Sequence, residues 1–179
     1  STDLNDILFF GAIILSFVMG AIAARVIVLW GVIHNVRLIF CQILLLEGIL
    51  LAGISLYEIY FHSFSTNREI IIFLCGLMGI HNSTSTQLSS GRVRSTHITG
   101  TLTDAGISLA SVVVAMLRRD YSKDTAAQKS QLTTHLTTLF SFITGGIAGL
   151  ILFRWFGFNA MLALGLMLVL VAAFAILNT

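Results

Sequence analysis

A small set of residues has the types and spacing to do chemistry in an apolar chain. Most lie in the segment 76–106, "GLMGIHNSTSTQLSSGRVRSTHITGTLTDAG". Arg92 and Arg94 alternate with Val93, so in an extended segment both guanidiniums point to one face. Two planar cationic forks on one face suit an anionic group or a carboxylate; the plainer alternative is lipid phosphate at the interface. His81 and His97 are candidates for proton coupling, because histidine as a residue type titrates near neutrality. Asn82, Thr96, Thr99 and Thr103 offer amide and hydroxyl contacts, and Gly100 lets a ligand approach the backbone. Asp104 sits beside them. Glu47 lies mid-way along "LIFCQILLLEGILLAGISLY". An ionisable group at that depth is expensive and by default functional; the alternatives are a neutral carboxyl or a pairing with Arg25 or Gln42.

These residues need elements to hold them, and composition says where those elements sit. Of 179 residues, 56% are hydrophobic and 10% charged, and the mean hydropathy is +0.95. A soluble domain carries about 25% charged residues. This chain cannot cover its surface with polar groups, so lipid must solvate it. The net charge is +2 and the basic residues are scattered, which argues against a nucleic-acid partner. Cys41 and Cys75 lie in apolar runs and read as small hydrophobes. No His/Cys spacing marks a metal site, no phosphate loop, nucleophile elbow or zincin motif occurs, and neither a cofactor nor an enzymatic reaction is expected.

A membrane span needs about 20 mostly apolar residues. Residues 7–30, 38–61, 132–153 and 158–177 meet this. Between them, 70–88 is apolar at first and polar after Ile80. The piece 102–117 is short, roughly 24 Å of helix. Residues 118–131 read as a hydrophilic loop. Gly91 and Gly100 are expected to end and restart helices, "VRSTHIT" to be a short extended segment, and Thr99, Thr101 and Thr103 to supply an N-cap. Glu58 and Glu69 read as interfacial. The alternative for the whole segment is a polar loop outside the membrane.

Two stretches repeat. "SFVMGAIAARVIVLWG" from Ser16 and "SFITGGIAGLILFRWFG" from Ser141 align at an offset of 125, pairing Ser16/Ser141, Phe17/Phe142, Gly20/Gly145, Ile22/Ile147, Ala23/Ala148 and Trp30/Trp155. The small residues of both stretches permit close helix packing. Residues 1–62 then form the end of a first repeat and 70–179 a second. A partner of the 76–106 segment is expected upstream of Ser1, with about one more ~20-residue span. Charge bears on orientation. If 70–117 crosses once, as a broken element, Arg25, Arg37, Arg118, Arg119, Lys123 and Lys129 share one side, with Arg68 and Arg154 opposite. If it crosses twice the two sides carry equal charge. The positive-inside bias favours the single crossing, which inverts the second repeat relative to the first.

The expected fold is therefore an all-α integral membrane protein. It has five to six transmembrane helical elements, one of them broken, and an internal inverted repeat. The 76–106 motif also resembles the YoaK-like family of small bacterial multi-pass membrane proteins, a family of unknown function. Gly79 and Asn82 fit its first stretch, with His81 and Ser83 departing from it. Val93, Thr96, Thr99, Gly100, Leu102 and Thr103 fit its second. The resemblance implies about six helical elements in a bacterial inner membrane and an earlier Thr-Gly motif. It implies no activity. The functional expectation is a transporter or permease for a small polar solute, an anionic one being suited by the two arginines. The alternative is a non-transporting subunit, an oligomer or a membrane-complex partner docking through its small-residue faces.

Overall fold

Asn35 ends the first helix in the left-handed region, at φ 55°. Asparagine tolerates that conformation, and here it completes a Schellman motif. The Val36 amide donates to Gly31 O (2.8 Å) and the Asn35 amide to Val32 O (3.2 Å). The turn folds Ile39 onto Gly31 and gathers Val28, Ile39 and Ile43 into a buried cluster that Ile80 joins from a third helix. The computed structural model describes residues 2–61, 67–89, 98–118 and 123–178. Six helices cover them: α1 (Thr2–Ile33), α2 (Ile39–Phe61), α3 (Asn67–Leu88), α4 (Ile98–Leu117), α5 (Lys123–Phe156) and α6 (Phe158–Leu177). All but α3 are long and apolar enough to cross a membrane. Large apolar side chains are exposed along every one of those five, and such surface is solvated by lipid. The chain is an all-α, multi-pass membrane protein.

α3 is less apolar, but its packing carries it across. Near one end, Arg68 Nη2 donates to Asp6 Oδ1 (2.9 Å). Near the other, Arg25 Nη1 donates to Gln87 Oε1 (2.6 Å). Between these clamps Ser16 Oγ donates to Ile72 O (2.7 Å). A side chain on Gly20 would run into the Gly76 carbonyl, and one on Gly79 into that of Phe17. The two clamps and the Ser16–Ile72 bond advance together along both chains, so α1 and α3 are parallel. The clamps are nineteen residues apart on each helix, about 28 Å of rise, close to the thickness of a hydrocarbon core. α2 runs back between them.

α6 packs on α2 through a second glycine contact. A Cβ on Gly48 would lie 2.9 Å from Gly165 O and from Val169 N; one on Gly165 would lie 2.8 Å from Ala52 N and 3.0 Å from Gly48 O. Residues 48 and 52 thus meet 165 and 169 about one close crossing point. α5 reaches α6 through the single residue Gly157, at φ 57°, where Phe153 and Phe158 meet edge to face. α4 packs back on α5. Among the described residues α4 touches no other helix, and α5 touches only α4 and α6.

Several expectations change. Ile98 and Thr99 open α4 and Gly100 is its third residue, so the helix restarts before Gly100, and α4 reaches 20 residues, about 30 Å. Thr103 Oγ1 donates to Thr99 O (2.9 Å), a bond inside the helix and not a cap. Gly91 and the extended reading of 93–97 lie outside the described residues. The loop expected at 118–131 is helical from Lys123 onward, where Ala, Gln and Lys are good helix formers. Glu58, near the end of α2, is buried within the protein, at 1% exposure. The small residues at Gly20–Ala24 pack, but those at Gly145–Gly149 have nothing within 4 Å of their glycines.

Candidate functional site

α2 turns one face inward, with Ile39, Ile43, Glu47, Ser55 and Glu58 all buried. Glu47 and Glu58 are eleven residues apart, three helical turns, and so share that face. A buried carboxylate must be paired or neutral. Glu47 is paired. The His81 Nδ1–H donates to Glu47 Oε2 (2.9 Å), across the α2–α3 contact. The Glu47 side chain is 7% exposed and that of His81 53%. His81 lies thirteen residues beyond Arg68, between the two clamps of α3. The pair therefore sits at membrane depth.

Beside it is a cavity of about 390 Å³ formed by α2, α3 and α6. Glu47 and His81 line it with Leu51, Leu74, Leu77, Met78, Leu164 and Leu168, and its surface is almost wholly apolar. Small-molecule sites are of this size. Glu47 Oε1 is buried and has no hydrogen-bond partner among the described residues, and the same holds for Asn82 Oδ1.

The hydroxyl run that follows His81 is turned inward on its own helix. Thr84 Oγ1 donates to Ile80 O (2.9 Å), Thr86 Oγ1 to Asn82 O (2.7 Å), and Gln87 Nε2 to Ser83 O (3.2 Å). Hydroxyls bonded to their own backbone are tolerated in a membrane helix. They explain how a polar sequence crosses without water.

The residues singled out in the sequence fall into three places. Glu47 and His81 lie together on the α2–α3 contact, and Asn82 follows His81 on α3. Thr99, Gly100, Thr103 and Asp104 are on α4, which does not touch α3 among the described residues. Asp104 lines a different cavity of about 340 Å³, with Ser108 on α4 and Ser130, Gln131, Thr134 and His135 on α5. Arg92, Arg94, Thr96 and His97 lie outside the described residues. Glu47 takes neither of its expected partners: Arg25 goes to Gln87. Sequence reasoning missed Glu58, whose spacing from Glu47 was the available signal. Cys41 and Cys75 are free thiols, partly buried. Among the described residues no three of His, Cys, Asp and Glu cluster as a metal site requires.

The fold and the intramembrane pair define a multi-pass helical membrane protein with a polar site in its core. The chain belongs to the family described as protein of unknown function DUF1275, whose model matches residues 2–174. Searches of curated proteins and of solved structures give no match.

Proposed function

We propose that the protein is a small permease of a bacterial plasma membrane that moves a small polar solute through the α2–α3–α6 cavity. The observation that carries this reading is the Glu47–His81 pair at membrane depth on the wall of that cavity. Ionisable residues so placed mark substrate and ion pathways. One further feature supports it. His81, at the start of the polar half of α3, lines the cavity, and Asn82 follows it in the chain. Arg92 and Arg94, outside the described residues, are the groups that would favour an anion.

The test is flux. Purified protein in liposomes should take up a solute identified by thermal-shift screening against polar metabolites, and Glu47→Ala and Asn82→Ala should reduce uptake at matched reconstitution. Uptake unchanged by both substitutions defeats the reading.

One observation favours the alternative, a non-transporting assembly partner. Residues 141–156 of α5 are exposed throughout, including the Ser141–Gly145–Gly149 ridge that repeats the packed Ser16–Gly20–Ala24 ridge of α1. On this reading the bare ridge docks another membrane helix. Gly145→Leu should then abolish a cross-linkable assembly in native membranes and leave insertion intact.

A further inference from the structure

We infer that the polar space between α4 and α5 is a binding site for a small solute that carries an ammonium group on a hydroxylated body. The inference goes beyond the permease reading, which rests on a different cavity, and stands or falls without it.

The sequence builds two polar stripes. Asp104 and Ser108 are four residues apart on α4; on α5, Ser130 and Thr134 are four apart, and so are Gln131 and His135. That spacing puts each pair on one side of its helix. Leu102, Leu109 and Val113 of α4 and Phe140 and Ile143 of α5 are exposed to the surroundings, which for these helices are lipid. The six polar residues, with Ile107, line the cavity of about 340 Å³ between the two helices. Such stripes ordinarily close on each other, because serine, threonine, glutamine and histidine hydrogen-bond across helices in a membrane. These do not. Among the described residues, none of the six makes a hydrogen bond or ion pair to the opposite helix; Thr134 Oγ1 donates to Ser130 O (3.0 Å), inside α5. Ser108 is the sharpest case. It is only 7% exposed, it lines the cavity, and its hydroxyl has no partner among the described residues. A buried hydroxyl left unpaired is costly, so what fills the cavity has to supply its partner.

The charge of the lining sets the head of the ligand. Asp104 is exposed, so its carboxylate is open to whatever enters. A carboxylate only accepts hydrogen bonds, and its strongest donor is a cation. No lysine or arginine lines the cavity, and His135 forms no ion pair with Asp104. α6, the other helix that touches α5 among the described residues, carries no titratable side chain. The polar neighbours set the body. Ser108, Ser130 and Gln131 offer both donors and acceptors, while Thr134, its hydrogen committed to Ser130 O, keeps acceptor capacity. Hydroxyl groups match that mixture. A hydrocarbon body would leave these groups without partners. A bare metal ion would occupy a small part of the space and leave the Gln131 amide hydrogens unmatched.

Binding can be read without flux. The purified protein in mild detergent is titrated by calorimetry, at constant ionic strength, with 2-amino-1,3-propanediol, glycerol and glycerate, three-carbon probes that differ in charge. The ammonium should bind, glycerol more weakly, and glycerate not at all. Asp104→Asn should weaken the ammonium by roughly tenfold or more, while Asp104→Glu, which keeps the charge, should weaken it less. Ser108→Leu, which fills the space and removes the buried hydroxyl, should abolish binding of every probe. Circular dichroism confirms that each variant is folded. The inference is overturned if the ammonium fails to bind, which would mean that the cavity holds water only. It is also overturned if glycerate binds as tightly, or if the ammonium affinity is untouched by Asp104→Asn or by Ser108→Leu. Uptake in liposomes is scored separately: flux that depends on Glu47, with no ammonium binding, sinks this inference alone.

Discussion

At the scale of single residues, Glu47 and His81 depend on each other unequally. Glu47 is sealed inside; His81 is half outside and can find other partners. Removing the histidine strands a buried carboxylate, whereas removing the carboxylate frees an imidazole that is already half exposed. His81→Ala should therefore destabilise the protein by roughly 1–3 kcal/mol, and Glu47→Gln by less. A buried pair is often no more stable than apolar residues of similar volume. The double variant Glu47→Leu/His81→Leu should thus be at least as stable as His81→Ala. Unfolding in mixed micelles, followed by circular dichroism, measures all three. A double variant much less stable than His81→Ala would show that the pair contributes through further partners. Both residues were legible in the sequence as isolated anomalies. Their contact was not, because it depends on the register between α2 and α3. The burial of Glu58 was not legible for a related reason: position near the end of an apolar run says nothing about which face a side chain takes.

Elements pair here by glycine rather than by apolar burial. Lipid tails are as apolar as leucine, so helices in a bilayer gain most from close van der Waals contact. Gly20, Gly76 and Gly79 let α1 and α3 touch backbone to backbone, and Gly48 and Gly165 do so for α2 and α6. Gly79→Val should force α1 and α3 apart, costing about 1–3 kcal/mol or more. Gly53→Val, on α2 with nothing within 4 Å, should be tolerated in the same assay. Equal effects would mean that the glycines act through helix propensity alone. The bounds of α6 could be read from its apolar run, which Gly157 opens and Asn178 closes. The N-terminal turns of α5 could not. Lys123–Gln131 is polar and carries no face that a core demands, and only helix propensity distinguishes it from a loop. The packing of Gly20 was legible as a small-residue ridge; the bareness of the same ridge at Gly145 was not, since sequence similarity does not say which copy finds a neighbour.

The whole molecule is constrained by direction. α1 and α3 are parallel, so Arg68, at the start of α3, and Asn35, at the end of α1, lie on opposite membrane sides. The direction of α5 follows from the number of crossings between α3 and α5, and α4 alone has the length of a span. If residues 70–117 cross once, Arg25, Arg37, Arg118, Arg119, Lys123 and Lys129 share one side against Arg68 and Arg154; if they cross twice, the two sides carry equal charge. Loop charge therefore favours the single crossing. Single cysteines at Arg68, Lys123 and Asn35, in a Cys41→Ser/Cys75→Ser background, should divide under a membrane-impermeant maleimide. Asn35→Cys and Lys123→Cys should label together, and Arg68→Cys only when the other face is opened. Labelling of Lys123→Cys with Arg68→Cys would mean that α4 crosses in full, and the inverted relation of the two halves would then have to be abandoned.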